Sequence, residues 1–242
     1  MILSGRCAIA VMAKAPQPGR VKTRLTPMLS PVAAMRMSCA FLRDITHNLA
    51  AAAQDSPIDP YIAYAPAGGA PLFDDLVAPG TRLILADGSG EMPTGVEGFG
   101  RCLLHATRAL FMLGYSAVCV LNADSPTLPT AYLRDAAQAL LAPGRRAVLG
   151  PAEDGGYYLL GTQATEPAVF TDITWSTCTV ADETLQRARS IGLKMAMLPP
   201  WYDVDDAVSL RRLRADLAFP DGGYAAPFTR DELASIDVSI AS

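Results

Sequence analysis

Four cationic side chains, Lys14, Arg20, Lys22 and Arg24, fall within eleven positions of a segment that also carries Pro16, Pro18 and Gly19. The apolar run Cys7–Met12 precedes this segment and reads as a buried strand. A loop at the carboxyl end of a strand is where open α/β sheets bind ligands, so the segment reads either as a phosphate-binding loop or as a solvated turn. It is not a Walker A loop, because Val21 rather than Gly precedes Lys22-Thr23, and G-x-G-x-x-G is absent.

Two acidic segments complement it. The apolar run Val118–Leu121 leads into Asn122-Ala123-Asp124-Ser125-Pro126, which sets Asp124 at a strand end facing the same edge as the cationic loop. A hard divalent cation takes oxygen ligands, and Mg²⁺ is commonly held by one or two carboxylates plus substrate phosphates. Asp124 therefore reads as a metal ligand or as an Asx-turn or N-cap residue. In Asp203-Val204-Asp205-Asp206, Asp205 can complete a metal site with Asp124, Asp203 is a weaker candidate, and Asp206 suits the N-cap of the next helix.

Between the acidic segments lies Gly150-Pro151-Ala152-Glu153-Asp154-Gly155-Gly156-Tyr157-Tyr158. The glycines either let the backbone approach an acceptor closely or make a hairpin turn, and Asp154 is a candidate catalytic base. Trp175 reads as a contact to a substrate ring or as packing. His47 and His105 both lie in helical stretches without a metal-binding pattern, and no Gly-x-Ser-x-Gly elbow is present, so zinc-hydrolase and serine-hydrolase chemistry lose support.

Positioning these residues requires an α/β scaffold. Strand-like runs at Cys7–Met12, Tyr61–Tyr64, Arg82–Leu85, Ala117–Leu121, Ala147–Leu149, Tyr157–Leu160 and Met195–Leu198 alternate with helical patterns, which predicts a mostly parallel sheet covered by helices. Ser30 with Pro31 marks the start of the first helix, whose apolar stripe runs through Met35, Leu42, Ile45 and Leu49. Further helices fit Phe99–Leu113, Ala131–Leu141, Val180–Ile191 and Ala207–Leu217, and Thr229 with Glu232 resembles the capping box of a short final helix.

The chain has 242 residues, 50% of them hydrophobic, which suffices for one large α/β domain. A formal charge of −4 leaves no basic excess for nucleic acid, so the local positive cluster suits a small anionic ligand. Five cysteines, at 7, 39, 102, 119 and 178, form no C-x-x-C pair; neither a disulfide framework nor a zinc site is expected, and a reducing cytoplasm is. Cys7 and Cys119 read as small buried hydrophobes. Neither a secretory signal nor a membrane span is expected from the first residues.

Taken in order, Ala13-Lys14-Ala15-Pro16 to Lys22-Thr23-Arg24-Leu25, Asp124-Ser125-Pro126, Gly150 to Tyr158 and Asp203-Val204-Asp205 resemble a bacterial family of nucleotide-diphospho-sugar transferases, also described as GT-A-like, selenodomain-associated transferases. The likeness runs from the first strand to the helix after Asp206. It implies a single domain over residues 1–242 with a GT-A-like, Rossmann-like sandwich, leaving 219–242 as a tail outside the motifs. It also implies a divalent metal, Mg or Mn, at Asp124 and Asp205, and phosphate contacts from Lys14, Gly19, Lys22, Arg24 and Arg101. Lys22, Asp124 and Asp154 would be catalytic, and Asp154, Gly155, Gly156, Tyr157 and Trp175 would border the acceptor. The chain departs from the family at Phe99 and Cys102, where Glu and Met are usual, at Asn122-Ala123, where Gly-Ser/Thr is usual, and at Asp206, where Thr is common.

The activity implied is transfer of a glycosyl group from a nucleotide sugar to a small-molecule acceptor. The alternatives are nucleotidyl transfer to a small phosphorylated acceptor with release of pyrophosphate, and a noncatalytic nucleotide-binding module.

Overall fold

The computed structural model describes residues 3–218 and 222–241, the last five as backbone alone. Seven strands form one sheet: β1 (Cys7–Lys14), β2 (Ile58–Ala65), β3 (Arg82–Leu85), β4 (Ala117–Leu121), β5 (Ala147–Pro151), β6 (Tyr157–Thr162) and β7 (Met195–Met197). Their order is β3-β2-β1-β4-β6-β5-β7. Strand β6 runs antiparallel to both neighbours and the remaining pairings are parallel. Successive strands step outward from β1 to β3 on one side, whereas β4 pairs on the other side of β1. The order therefore reverses between β1 and β4, the crevice where open α/β sheets take ligands.

Among the described residues there are six α-helices: α1 (Pro31–Gln54), α2 (Phe99–Met112), α3 (Thr130–Leu141), α4 (Val180–Ser190), α5 (Ala207–Ala218) and α6 (Pro227–Ala241). The strand pleat separates two cores. Cys7, Ile9 and Val11 share one face with Leu42, Ile45 and Leu49 of α1 and Leu133 and Leu140 of α3. Ala8 and Ala10 share the other with Leu103, Leu104 and Leu110 of α2. The two predicted small hydrophobes lie side by side in adjacent strands, with the Sγ atoms of Cys7 and Cys119 3.8 Å apart.

A third core lies beyond α1. Met37 and Phe41 of α1 pack with Leu210 and Leu213 of α5 and Leu233 and Ile236 of α6. Helix α1 is thus buried along a second face besides the expected stripe. The same cluster receives Leu25 and Leu29 from the cationic loop and Tyr202 and Val204 from the acidic segment. Fully burying one such side chain is worth about 1.5–3 kcal/mol, so this core fastens the two segments to one another.

The starts of α1 and α6 are set by side chains. Ser30 accepts from Ala33 N at 3.1 Å with Pro31 at the first position, as expected. The final helix differs from expectation. It begins at Pro227, two residues before Thr229, and its cap comes from α1: Asp44 accepts from Phe228 N at 3.2 Å and Thr229 N at 2.7 Å. A buried carboxylate there satisfies amides that have no partner within the helix. Burial pushes the Asp44 pKa up, against the lowering effect of those amide bonds.

Candidate functional site

The cationic loop leaves β1 at Lys14, turns through Gly19 and enters a short 3-10 turn, Thr23–Leu25. Lys22 takes a left-handed conformation, φ 47° and ψ 38°, which costs a non-glycine residue about 1–2 kcal/mol. Side-chain contacts hold it there. Its Nζ lies 2.6 Å from Asp124 Oδ1 and 3.0 Å from Asp205 Oδ1, donates to Val204 O at 2.6 Å, and lies 5.1 Å from the centre of the Phe41 ring. Only 6% of the Lys22 side chain is exposed. Arg24 reaches Asp205 Oδ2 at 3.4 Å from the solvent side.

The acidic partners are joined through the backbone. Asp124 O accepts from Val204 N at 2.8 Å, which sets the segment carrying Asp205 against the loop following β4. Asn122 Oδ1 accepts from Asp124 N at 3.4 Å, so the Asx turn belongs to Asn122 and the Asp124 carboxylate faces Lys22. Asp206 caps α5, accepting from Val208 N at 2.9 Å and Ser209 N at 2.8 Å, while Ser209 Oγ accepts in return from Asp206 N at 3.0 Å. These bonds hold the Asp206 carboxyl below its usual range. The three adjacent acids separate, with Asp205 at the ion cluster and Asp206 on the helix.

Asp154 occupies the β5–β6 hairpin, where its Oδ1 accepts from Gly156 N at 2.8 Å. The hairpin is tied to the acidic segment by Glu153 N to Trp201 O at 3.0 Å and Trp201 N to Pro151 O at 3.1 Å. Gly155 has φ +91° and faces the Cys178 carbonyl so closely that a Cβ would collide with it. This contact sets the 174–179 loop beside the hairpin.

Two cavities meet over the ion cluster. The first, about 340 Å³, has Lys14, Arg20, Lys22 and Arg24 in its wall together with Asp124 and Asp205. Its apolar side is made of small residues at the ends of β2 and β3, Ala63, Ala65 and Ala86, with Phe99 at the start of α2. The second, about 580 Å³, has Asp154, Asp203, Gly156, Tyr157, Trp175 and Cys178 in its wall. Lys14, Arg24, Phe99, Asp124 and Asp205 border both. The first cavity thus sets four cations against two carboxylates, and the second sets two cations against four carboxylates.

The pKa of Asp203 is raised to about 6, first by burial and then by Asp154, Asp205 and Asp124. Sequence spacing ranked Asp203 low, since nothing local shows that it joins carboxylates from two other loops. Arg20 belongs to the cationic loop read from the sequence but not to the phosphate contacts that the resemblance implies, and the three alanines carry no local signal of their own. Small residues at adjacent strand ends are the signal that points to them.

Other predicted residues are placed differently. Arg101 donates to the Gly88 and Gly90 carbonyls, both at 3.1 Å, and Gly19 lies on an exposed turn of its loop; neither is in the wall of these two cavities. Tyr157 borders the second cavity but also packs in the α2-side core, with its hydroxyl buried. Trp175 meets Phe99 edge-on at 5.8 Å and lies against Gly98 and Gly100, so it packs and also borders the cavity.

Asp124 and Asp205 turn hard oxygen donors toward a common cation, the Lys22 ammonium, and that donor chemistry fits Mg²⁺ or Mn²⁺ completed by phosphate and water. Among the described residues, no group of three or more His, Cys, Asp or Glu side chains is arranged to hold a metal. A metal at this pair would therefore draw its remaining ligands from outside the protein.

The fold, with its two cavities at the strand reversal, is GT-A-like, the fold of its glycosyl- and nucleotidyl-transferase neighbours. The chain belongs to the family described as "Uncharacterized protein conserved in bacteria (DUF2064)", whose model matches residues 48–177. That span includes Asp124, Asp154 and Trp175, and lies between the cationic loop and Asp205. A candidate nucleotide-diphospho-sugar transferase from Desulfovibrio desulfuricans is 28% identical with a TM-score of 0.80, over 100% of this chain and 98% of its own. Glucosyl-3-phosphoglycerate synthase from Mycobacterium tuberculosis, solved with Mn²⁺, UDP and glucosyl-3-phosphoglycerate, has a TM-score of 0.51 at 10% identity over 96% of this chain and 78% of its own. A 4-diphosphocytidyl-2C-methyl-D-erythritol synthase from Anaerococcus prevotii has a TM-score of 0.53 at 10% identity over 88% and 97%. The last two share the fold alone. No curated protein matches the chain by sequence. Among the described residues, no helix is long and apolar enough to cross a membrane.

Proposed function

We propose that the protein transfers a glycosyl group from a nucleotide-diphospho-sugar to a small acceptor. The observation that carries this reading is the meeting of two cavities over one ion cluster, since the reaction needs donor and acceptor on either side of the diphosphate. The nucleotide diphosphate would lie in the cation-rich cavity, contacted by Lys14, Arg20 and Arg24, with the sugar turned toward the second. Lys22 already shares its charge with two carboxylates, so the exposed cations carry more of the initial attraction.

Asp124 and Asp205 would hold the divalent ion, which when bound supplies positive charge to the departing diphosphate. Arg24 and Lys14, at the border of both cavities, would stabilise the same charge as the bond from the anomeric carbon to the diphosphate oxygen breaks. The electron pair leaves with the nucleoside diphosphate, an acceptor oxygen or nitrogen forms the new bond to carbon, and its proton passes to Asp154. The amide of Gly156 orients that carboxylate by holding one of its oxygens. The five cysteines, without a disulfide in the structure, suit a cytoplasmic location.

Product analysis with nucleotide sugars, nucleoside triphosphates and an acceptor panel tests the assignment. Release of nucleoside diphosphate with a glycosylated acceptor is expected. Pyrophosphate release from a triphosphate would replace the assignment with nucleotidyl transfer, and tight nucleotide binding without turnover would replace it with a binding module. Asp124→Asn exchanges an anionic oxygen for a neutral amide, so Mg²⁺ or Mn²⁺ affinity in the presence of nucleotide should fall by about tenfold or more while circular dichroism is unchanged. Unchanged affinity by calorimetry would remove Asp124 from the metal site.

A further inference from the structure

The charge balance of the second cavity has a chemical consequence for what can enter it. Asp154 and Asp203 make no ion pair among the described residues, and the cations in this wall are Lys14 and Arg24, which also border the donor cavity. Once a nucleotide diphosphate is bound, both cations face its charge. Even with Asp124 and Asp205 neutralised by a bound cation, two carboxylates remain on the acceptor side with no counterion. An ionised carboxylate only accepts hydrogen bonds, so it favours ligands that donate them and repels anions.

The aromatic border is a separate observation. Phe99 is 48% exposed and lies edge-on to Trp175 at 5.8 Å, with both rings in the cavity wall. Exposed aromatic surface beside hydrogen-bond acceptors suits a ligand with an apolar carbon face and an edge of hydroxyl or amino groups. With a donor diphosphate bound against Lys14 and Arg24, a phosphate ester would find no further cation in this wall.

We propose that the acceptor is a polyhydroxyl or amino compound that carries no phosphate or carboxylate group, and that Asp154 and Asp203 impose this selection. The proposal rests on the transferase reading above and names the substrate class of the same site.

Matched pairs test it: glucose, glycerol and ethanolamine, each against its own phosphate ester. Each is titrated by ligand-observed NMR into the protein loaded with Mg²⁺ and whichever of UDP, GDP, ADP or CDP binds most tightly. The esters should bind about tenfold more weakly than their parents, the scale of one uncompensated like-charge contact near a surface. Asp154→Asn/Asp203→Asn should narrow that gap to within about threefold, a loss of roughly half the discrimination in free energy. Single Asp154→Asn, on an exposed turn, serves if the double variant does not fold. Equal or tighter binding of the esters, a gap unchanged in a folded variant, or no binding of any of the six probes would overturn the proposal. Failure of the transferase reading shows separately, as no nucleoside diphosphate released from any nucleotide sugar while the binding preference persists.

Discussion

Lys22 combines three properties that seldom coincide in a lysine: a left-handed backbone, a side chain with 6% exposure, and two carboxylates on one ammonium. Their conjunction explains the backbone strain, because the ion pairs hold the residue where its own preference would not. Removing the charge leaves Asp124 and Asp205 facing one another. Lys22→Met should therefore destabilise the metal-free protein by about 2 kcal/mol, allowing for the third of each carboxylate that solvent screens. Mg²⁺ should recover part of the loss. Thermal melts with and without Mg²⁺ measure both, and a melting temperature that ignores the ion would show that the two aspartates do not share a cation. The charge types at residues 22, 124 and 205 were readable from the sequence; that the lysine pairs with both acids was not, since the pairing depends on a backbone bond from Val204 to Asp124.

At the scale of elements, the clamp opposite the site and the hairpin beside it behave differently. Arg6, just before β1, binds Asp59 of β2 through two bonds of 2.7 and 2.8 Å, and Arg82 of β3 approaches the same carboxylate at 3.7 Å. Burial, the largest single effect, raises the Asp59 pKa, but the hydrogen bonds from Arg6 and Tyr115 and the charges of Arg6 and Arg82 together outweigh it, and the net shift is downward. A carboxyl depressed in the folded state contributes stability above its unfolded value, 3.8, and loses it as the pH falls through the lower folded value. Asp59→Asn should cost about 1–2 kcal/mol at pH 7, and the difference from the parent should vanish in denaturant titrations well below pH 3.8.

The hairpin answers to sterics. Gly155→Ala adds a Cβ at φ +91° against the Cys178 carbonyl, so the turn must shift relative to the 174–179 loop. Acceptor KM should rise by about tenfold with nucleotide affinity nearly unchanged, the signature of misplacement by a fraction of an ångström. Steady-state kinetics and calorimetry separate the two effects. The hairpin was legible beforehand because Asp-Gly-Gly is a local signal, and all seven strands were legible because each is a short apolar run. The second buried face of α1 was not, because Met37 and Phe41 are covered by helices some 170 or more residues later. Nor was the cap of α6, where a distant Asp44 does what the local Thr229–Glu232 spacing suggested Thr229 would do.

Across the whole molecule, the site depends on a core that touches no ligand. Leu25 and Leu29 from one flank, with Tyr202 and Val204 from the other, are packed between α1 and the last two helices. Leu25→Ala should cost about 2–5 kcal/mol through the cavity it leaves. Nucleotide affinity should fall as well, although Leu25 lines neither cavity, because the turn presenting Lys22 and Arg24 loses its anchor. Chemical denaturation and calorimetry read the two losses together; undiminished affinity in a destabilised variant would show that the turn holds its shape without that anchor. Such long-range packing is what single-sequence patterns carry least well, since the periodicity of a segment reports that a face is covered but not by what.

The bond from Lys22 to Asp205 joins residues 183 positions apart. During synthesis the basic turn leaves the ribosome early; Asp124 follows after four strands, and Asp205 only after all seven have been made. The nascent chain can lay down its central strands without any capacity to grip a nucleotide, and that capacity arrives late, when the two flanks close on each other.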